Sequence, residues 1–302
     1  MGDSRLGAAC AVAAGITFGT LGIFSRLFYD EGGDEFSLLV LRVCGMVLIL
    51  GAVVAARARP APASADAALS VLLGAATLGA TACLLAGFDA ASPGLVILLF
   101  YIYPLVVTLA AHFLFREELT RRRGLLLLVG MIGIALTVGI PDAATAAGIG
   151  WGLGAGVCIS IYILGGRYVM ARSVDSFQFV ALSTGGALLA LAPFAVAAGV
   201  SVPAGNGIAY AACVVVLSSV VPTLLFYFAV RRIGASSASR LATVEPVTAV
   251  ALSYVVLGDA ILASQIAGGV LVVGAVVALL TPAATGPRAG ASAPACTPRS
   301  TS

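Results

Sequence analysis

The sequence predicts an all-α integral membrane protein of ten transmembrane helices, arranged as two inverted five-helix repeats. Three observations lead there: a scarcity of charge, ten apolar segments in succession, and a register of matching residues shared by the two halves. Hydrophobic residues make up 61% of the 302 residues and charged residues only 10%, and the mean hydropathy is +1.11. Soluble domains carry roughly 25% charged residues. A surface this poor in charge suits lipid, which needs no polar coat, better than water.

A membrane-crossing helix needs about 20 apolar residues. Such segments run over 7–28, 36–56, 67–87, 93–115, 124–140, 147–170, 176–199, 207–230, 235–257 and 262–281. The first follows Met1–Arg5 directly and is too long for a signal-peptide core, so it reads as a membrane helix. Residues 282–302 are rich in Pro, Ala, Ser and Thr and predict a disordered cytoplasmic tail.

Positive charge collects on cytoplasmic loops. With ten crossings, one side receives Arg5, Arg57, Arg59, Arg116, Arg121, Arg122, Arg123, Arg172, Arg231, Arg232, Arg288 and Arg299. The other receives Asp30, Glu31, Asp34, Glu35, Asp89, Asp142 and Asp259, and no arginine. Both termini are therefore expected in the cytoplasm. Every basic residue is Arg, and Ala and Gly are abundant, which suggests a GC-rich bacterial genome and hence the inner membrane.

The halves match at an offset of 141–142 residues. Gly15 pairs with Gly156, Arg26 with Arg167, Phe36 with Phe177, Gly45 with Gly186, Pro104 with Pro246 and Glu117 with Asp259. The expected division is 1–141, 142–281 and the tail. Five helices per copy insert the second copy upside down. Inverted copies are a construction principle of secondary transporters, where they enclose a site at mid-depth.

The segment Pro93–Leu136 reads PGLVILLFYIYPLVVTLAAHFLFREELTRRRGLLLLVGMIGIAL, and Ser236–Leu279 reads SSASRLATVEPVTAVALSYVVLGDAILASQIAGGVLVVGAVVAL. Each holds a mid-helix proline, an acidic residue 13 positions later and a glycine-rich final helix. These segments resemble the EamA repeat of the drug/metabolite transporter superfamily; Arg116 departs from the glycine usual at its position. The resemblance implies a ten-helix basket around a central cavity. It also implies solutes such as amino acids and other metabolites, often moved outward.

The fourth segment places Tyr101, Leu105, Thr108 and His112 on one face, and the ninth matches them with Thr243, Val247, Val250 and Tyr254. A polar stripe on a membrane helix faces the protein interior or a wet cavity. Tyr101, Thr108, His112, Thr243 and Tyr254 therefore either line a solute path or hydrogen-bond between helices. Pro104 and Pro246 each free the carbonyl four residues earlier, at Phe100 and Ala242, which either binds solute or ion or marks a plain kink that bends the wall. Glu245 stands in mid-membrane beside Pro246, where a charge costs about 2.5–3.5 kcal/mol on insertion scales. It either binds a solute amino group or coupling proton, or pairs with Arg42 or Arg240. Those arginines either meet a solute carboxylate or snorkel to the headgroups, as Arg26 and Arg167 are expected to do. Glu117 and Asp259 are each expected to cap the helix that follows.

Other chemistries lack their residues. No GxxxxGK[ST], GxSxG or HExxH motif occurs, so no enzyme activity and no cofactor are expected. His112 is the single histidine and the six cysteines form no CxxC pair, so no metal site is expected. A net charge of +3 gives no basic face for nucleic acid. The expected partners are a small solute and the bilayer; oligomeric state stays open. The expected function is a secondary transporter, exporting a small metabolite by alternating access. The alternative is a membrane-embedded enzyme or lipid-handling protein using Glu245 in an intramembrane cleft.

Overall fold

Long apolar stretches, most bounded by a glycine, a proline or a capping side chain, fold into helices throughout the computed structural model. It describes residues 2–139, 145–172 and 174–281; Asp142, Arg288, Arg299, Cys296 and the tail lie outside them. In chain order the helices are α1 (Gly2–Asp30), α2 (Glu35–Arg57), α3 (Ser64–Ala90), α4 (Pro93–Phe115), α5 (Arg121–Val138), α6 (Ala146–Met170), α7 (Ser176–Ala198), α8 (Gly207–Ile233), α9 (Ala235–Leu257) and α10 (Ala263–Leu280). Among the described residues there is no strand.

Nine of these helices are long and apolar enough to cross a membrane. The exception is α5, expected from sequence as the fifth crossing. It has 18 residues and opens on Arg121, Arg122 and Arg123, which leaves a short apolar remainder. Those arginines have local work. Arg122 donates to the carbonyls of Thr281 and Ala278 at the end of α10, and Arg123 donates to the Glu118 carbonyl.

Caps define several helix starts. Asp34 accepts from the Ser37 amide at 2.8 Å to open α2. Its counterpart 141 residues on, Asp175, accepts from Phe177 and Gln178 to open α7, while Gln178 accepts from the Asp175 amide. Thr120 and Thr145 cap α5 and α6. Glu117 and Asp259 do not cap the helices that follow them. Thr120 already holds the start of α5, and Asp259 instead accepts from the Ser253 hydroxyl.

The copies pack on each other more than within themselves. Helix α3 lies on α6 and α7, α1 on α8 and α9, α2 on α7 and α8, α4 on α6, and α5 on α10. Exchanging each helix for its counterpart five places along turns the pair α3–α6 into α8–α1 and α4–α6 into α9–α1. The contact map therefore has the two-fold character that the residue register predicts.

Close approaches explain the matched glycines. A Cβ on Gly15 would lie 2.6 Å from the Ala242 carbonyl oxygen, and one on Gly156 would lie 3.0 Å from that of Phe100. These are the carbonyls that Pro246 and Pro104 deprive of their helical donors. Helix α4 breaks at Tyr101–Ile102 before resuming at Tyr103, and α9 passes through a 3-10 turn at Ala242–Val244 before Glu245. A side chain at either glycine would push these broken segments off the neighbouring helix.

Charge separates along the bundle. The ion pairs Arg59–Asp175 (3.5 Å), Arg172–Asp66 (2.9 Å), Arg167–Glu117 (3.7 Å) and Arg232–Asp3 (2.9 Å) lie at one end, called here the arginine end. At the other, the acidic end, Glu35 and Asp89 are electrostatic neighbours.

Candidate functional site: a cavity between the two copies

A cavity of about 280 Å³ opens where the breaks of α4 and α9 meet α1–α3 and α6–α8. Its lining follows the repeat register. Phe18 and Ile159, Met46 and Ala187, Thr81 and Thr223, and Tyr103 and Glu245 all line it, and each pair is one repeat offset apart. The space therefore sits on the pseudo-two-fold relation between the copies, and both contribute to its wall.

Its charges do not follow that symmetry. Arg42 of α2 and Glu245 of α9 both face the cavity and act on each other electrostatically, without closing into a direct ion pair. The counterpart of Arg42 is Ser183, which is buried and hydrogen-bonded to the Tyr162 hydroxyl at 3.1 Å. The counterpart of Glu245 is Tyr103. An aromatic wall completes the site. The Tyr162 and Tyr227 rings stand 5.4 Å apart at 84°, and the Tyr227 hydroxyl donates to the Tyr162 carbonyl. Phe100 and Tyr103, which also line it, pack at 5.5 Å.

This arrangement offers a guanidinium that can donate two parallel hydrogen bonds to a carboxylate. It also offers a carboxylate that can accept from an ammonium, and ring faces for an apolar body or a cation. Among the described residues no group of His, Cys, Asp or Glu could hold a metal ion. A shallower hollow of about 320 Å³ lies at the arginine end beside Arg59, Pro60, Asp175, Gln178 and Arg231. Its carboxylate is already occupied by the α7 cap and by Arg59.

The residues singled out from sequence divide into three groups. Arg42 and Glu245 line the cavity. Tyr101 lies buried behind it, packed on Phe100 and Tyr103 and within electrostatic reach of Glu245. Thr108, Thr243 and Arg240 form a separate buried knot between α4 and α9. Arg240 is 3% exposed. It donates to the hydroxyls of Thr108, Ser236 and Ser237, while Thr243 donates to the Arg240 carbonyl. Arg240 therefore does not snorkel: hydroxyls inside the helix pair take both of its terminal nitrogens, while its Nε is buried with no hydrogen-bond partner among the described residues. Arg167 likewise turns inward to Glu117 and the Phe115 ring, whereas Arg26 is exposed.

His112 and Tyr254 do not reach the cavity. His112 is exposed and its Nδ1 bonds the Glu117 carbonyl oxygen, and Tyr254 is 54% exposed in the π-turn that ends α9. The stripe that grouped them assumes an unbroken helix. Between Thr243 and Tyr254 the 3-10 turn at Ala242–Val244 and the π-turn that starts at Ser253 intervene, whereas His112 shares the unbroken segment Tyr103–Phe115 with Thr108 but stands in its last turn, where its ring meets the Glu117 carbonyl. Tyr103, Tyr162 and Tyr227 were missed as lining residues. The register itself carried the signal, since Tyr103 is the counterpart of Glu245 and Tyr162 that of Leu21, which also lines the space.

Comparison with known proteins decides the family. The model of the EamA-like transporter family matches twice, over residues 5–139 and 146–281. The chain belongs to the EamA-like transporter family. The two matches divide it where the helix pairing does. A protein of Archaeoglobus fulgidus named an uncharacterized transporter is 26% identical over 276 residues, covering 90% of this chain and 95% of that one. A crystal structure superposes with a TM-score of 0.75 over 90% of this chain and 96% of the other, at 19% identity, which speaks to the fold alone. The chain is thus a multi-pass membrane transporter of two EamA-like repeats.

Proposed function

We propose that this transporter carries a small zwitterionic metabolite, such as an amino acid, outward across the inner membrane by alternating access. The single observation behind the reading is the repeat-matched lining of the cavity. A site on the axis between two copies stays in place while one copy rocks against the other. Arg42 takes the solute carboxylate, Glu245 its ammonium group, and the Tyr162, Tyr227 and Tyr103 rings its side chain. The volume of about 280 Å³ falls just under the ~300 Å³ at which pockets for drug-sized ligands begin. That size suits a metabolite rather than a lipid. Symmetric lining has no use in catalysis at an intramembrane cleft.

The arginine end faces the cytoplasm on this reading, as the positive-inside rule requires. Helix α5 is then the tenth crossing, with its three arginines at the cytoplasmic boundary and its remainder packed on α10. The copies, 1–141 and 142–281, are inverted, and both termini are cytoplasmic. One chain holds both copies, so a monomer suffices.

The test is efflux and uptake by the purified chain in liposomes, using a panel of zwitterions alongside their amide and deaminated analogues. Zwitterions should move and both analogue classes should fail. Equal movement of all three classes, or movement of none, would count against the paired-charge site.

A further inference from the structure

We propose that Glu117 and Asp259 are the two halves of an alternating clasp that reports which end of the transporter is closed; this rests on the alternating-access reading. In the present structure one half is engaged. The Glu117 carboxylate, from the first copy, accepts from the Ala235 and Ser236 amides at 3.0 Å each, at the start of α9 in the second copy. Arg167 approaches the same carboxylate at 3.7 Å, and Glu117 is largely buried there. Gly234, at φ +83°, leaves the carboxylate its room, since a Cβ at that residue would lie 2.5 Å from Oε1. One helix turn inside, Arg240 of α9 ties to Thr108 of α4. The arginine-end tips of α4 and α9 are thus joined twice across the copies.

The other half is disengaged. Asp259 is exposed and, among the described residues, accepts only locally, from Ser253. The register assigns it a receptor. Shifting Gly234, Ala235, Ser236 and Arg167 back by the repeat offset gives Ser92, Pro93, Gly94 and Arg26. Ser92 Oγ is buried with no hydrogen-bond partner among the described residues. Ser92 makes no side-chain cap at the start of α4. Arg26 is exposed. Pro93 has no amide to offer, and the Ser92 hydroxyl replaces that donor. In the opposite state the Asp259 carboxylate therefore accepts from Gly94 N–H and Ser92 O–H beside the Arg26 guanidinium, and Glu117 lets go. Because the two clasps close opposite ends of the same α4–α9 pair, rocking makes one as it breaks the other. Glu117 and Asp259 are positioning residues that bias the equilibrium without touching solute.

Hydrogen–deuterium exchange of the full chain in nanodiscs, with thermal unfolding and liposome transport measured in parallel, tests this. Asp259→Asn removes nothing from the present state except a surface bond. It should slow exchange at 235–241 and speed it at 94–100, each by about tenfold if a charge-assisted bond is lost. Glu117→Gln should do the reverse. Ser253→Ala, which cuts the same surface bond but keeps the carboxylate, should not reproduce the Asp259→Asn pattern. A purely structural cap at Glu117 would raise exchange at 235–241 and leave 94–100 unchanged, and a bystander Asp259 would move neither segment; either result overturns the clasp. Normal transport by the parent alongside that result sinks the clasp alone, whereas a parent that moves no solute sinks the carrier reading.

Discussion

The two copies are interchangeable where backbones touch and unlike where the cavity is charged. Gly15 against the Ala242 carbonyl repeats as Gly156 against the Phe100 carbonyl. At the cavity, Arg42 replaces the position of Ser183, and Glu245 that of Tyr103. On the proposed alternating-access reading, matched backbone contacts would keep the two tilts of the bundle close in energy. On the same reading, unmatched charges would give the solute one orientation, which a symmetric site could not.

The largest expected effect sharpens that contrast at the cavity. Glu245→Gln and Arg42→Gln each remove one charged partner, a loss of about 1.5–3 kcal/mol for a charge-assisted bond. Transport should fall roughly 10- to 100-fold. Tyr103→Phe, at the uncharged counterpart, should change it by less than about threefold, because its ring packing survives. Comparable losses in all three variants would erase the distinction between the copies.

Next comes the backbone contact. Gly15→Ala places a methyl against a carbonyl that cannot retreat, and overpacking of this kind costs about 1–3 kcal/mol. Gly156→Ala, with a wider gap, should cost less, and Gly185→Ala, which meets nothing within 4 Å, should be neutral or stabilising. Thermal unfolding in detergent ranks the three. A Gly15→Ala protein as stable as the parent would mean that the carbonyl contact is slack.

The caps differ between copies as well. Asp175 holds two amides, completes a capping box and pairs with Arg59, while Asp34 holds one amide. Asp34→Ala should cost about 1 kcal/mol, and Asp175→Ala more. The smallest effect is the pH dependence of the Asp34 cap. Hydrogen bonds from Ser37, side chain first and then amide, hold the Asp34 carboxyl below its ordinary 3.8. A lowered carboxyl stabilises the folded state fully above its unfolded value and loses that contribution as pH falls through the folded one. The stability gap between parent and Asp34→Ala should therefore be constant above about pH 5 and shrink below about pH 4. A gap that widens on acidification would show that the cap acts in its neutral form.

Helix positions, the two copies and the family were legible because apolar length, arginine placement and the register at Pro104 and Pro246 are local or periodic signals. Arg42 and Glu245 stood out because a charge within an apolar span needs a reason. The rest depended on helix irregularity. Tyr254 shares a face with Thr243 only if the helix is continuous, and the turns at Ala242–Val244 and Ser253–Leu257 intervene; His112 follows Thr108 on one unbroken segment but stands in its last turn, bonded to the Glu117 carbonyl. Arg240 looked like a headgroup-seeking arginine because its three hydroxyl partners are spread over two distant segments, with Thr108 on one and Ser236 and Ser237 on the other. Glu117 caps a helix more than a hundred residues away, a pairing that local capping rules do not reach.

The most direct test of the cavity as the solute site is the affinity of a transported zwitterion for the solubilised chain, measured by calorimetry on four variants. Arg42→Gln and Glu245→Gln should each weaken binding by about tenfold or more, while His112→Gln and Tyr254→Phe, on the outer surface, should bind like the parent. Undiminished binding in the first pair, or losses confined to the second, would place the solute elsewhere and contradict the account.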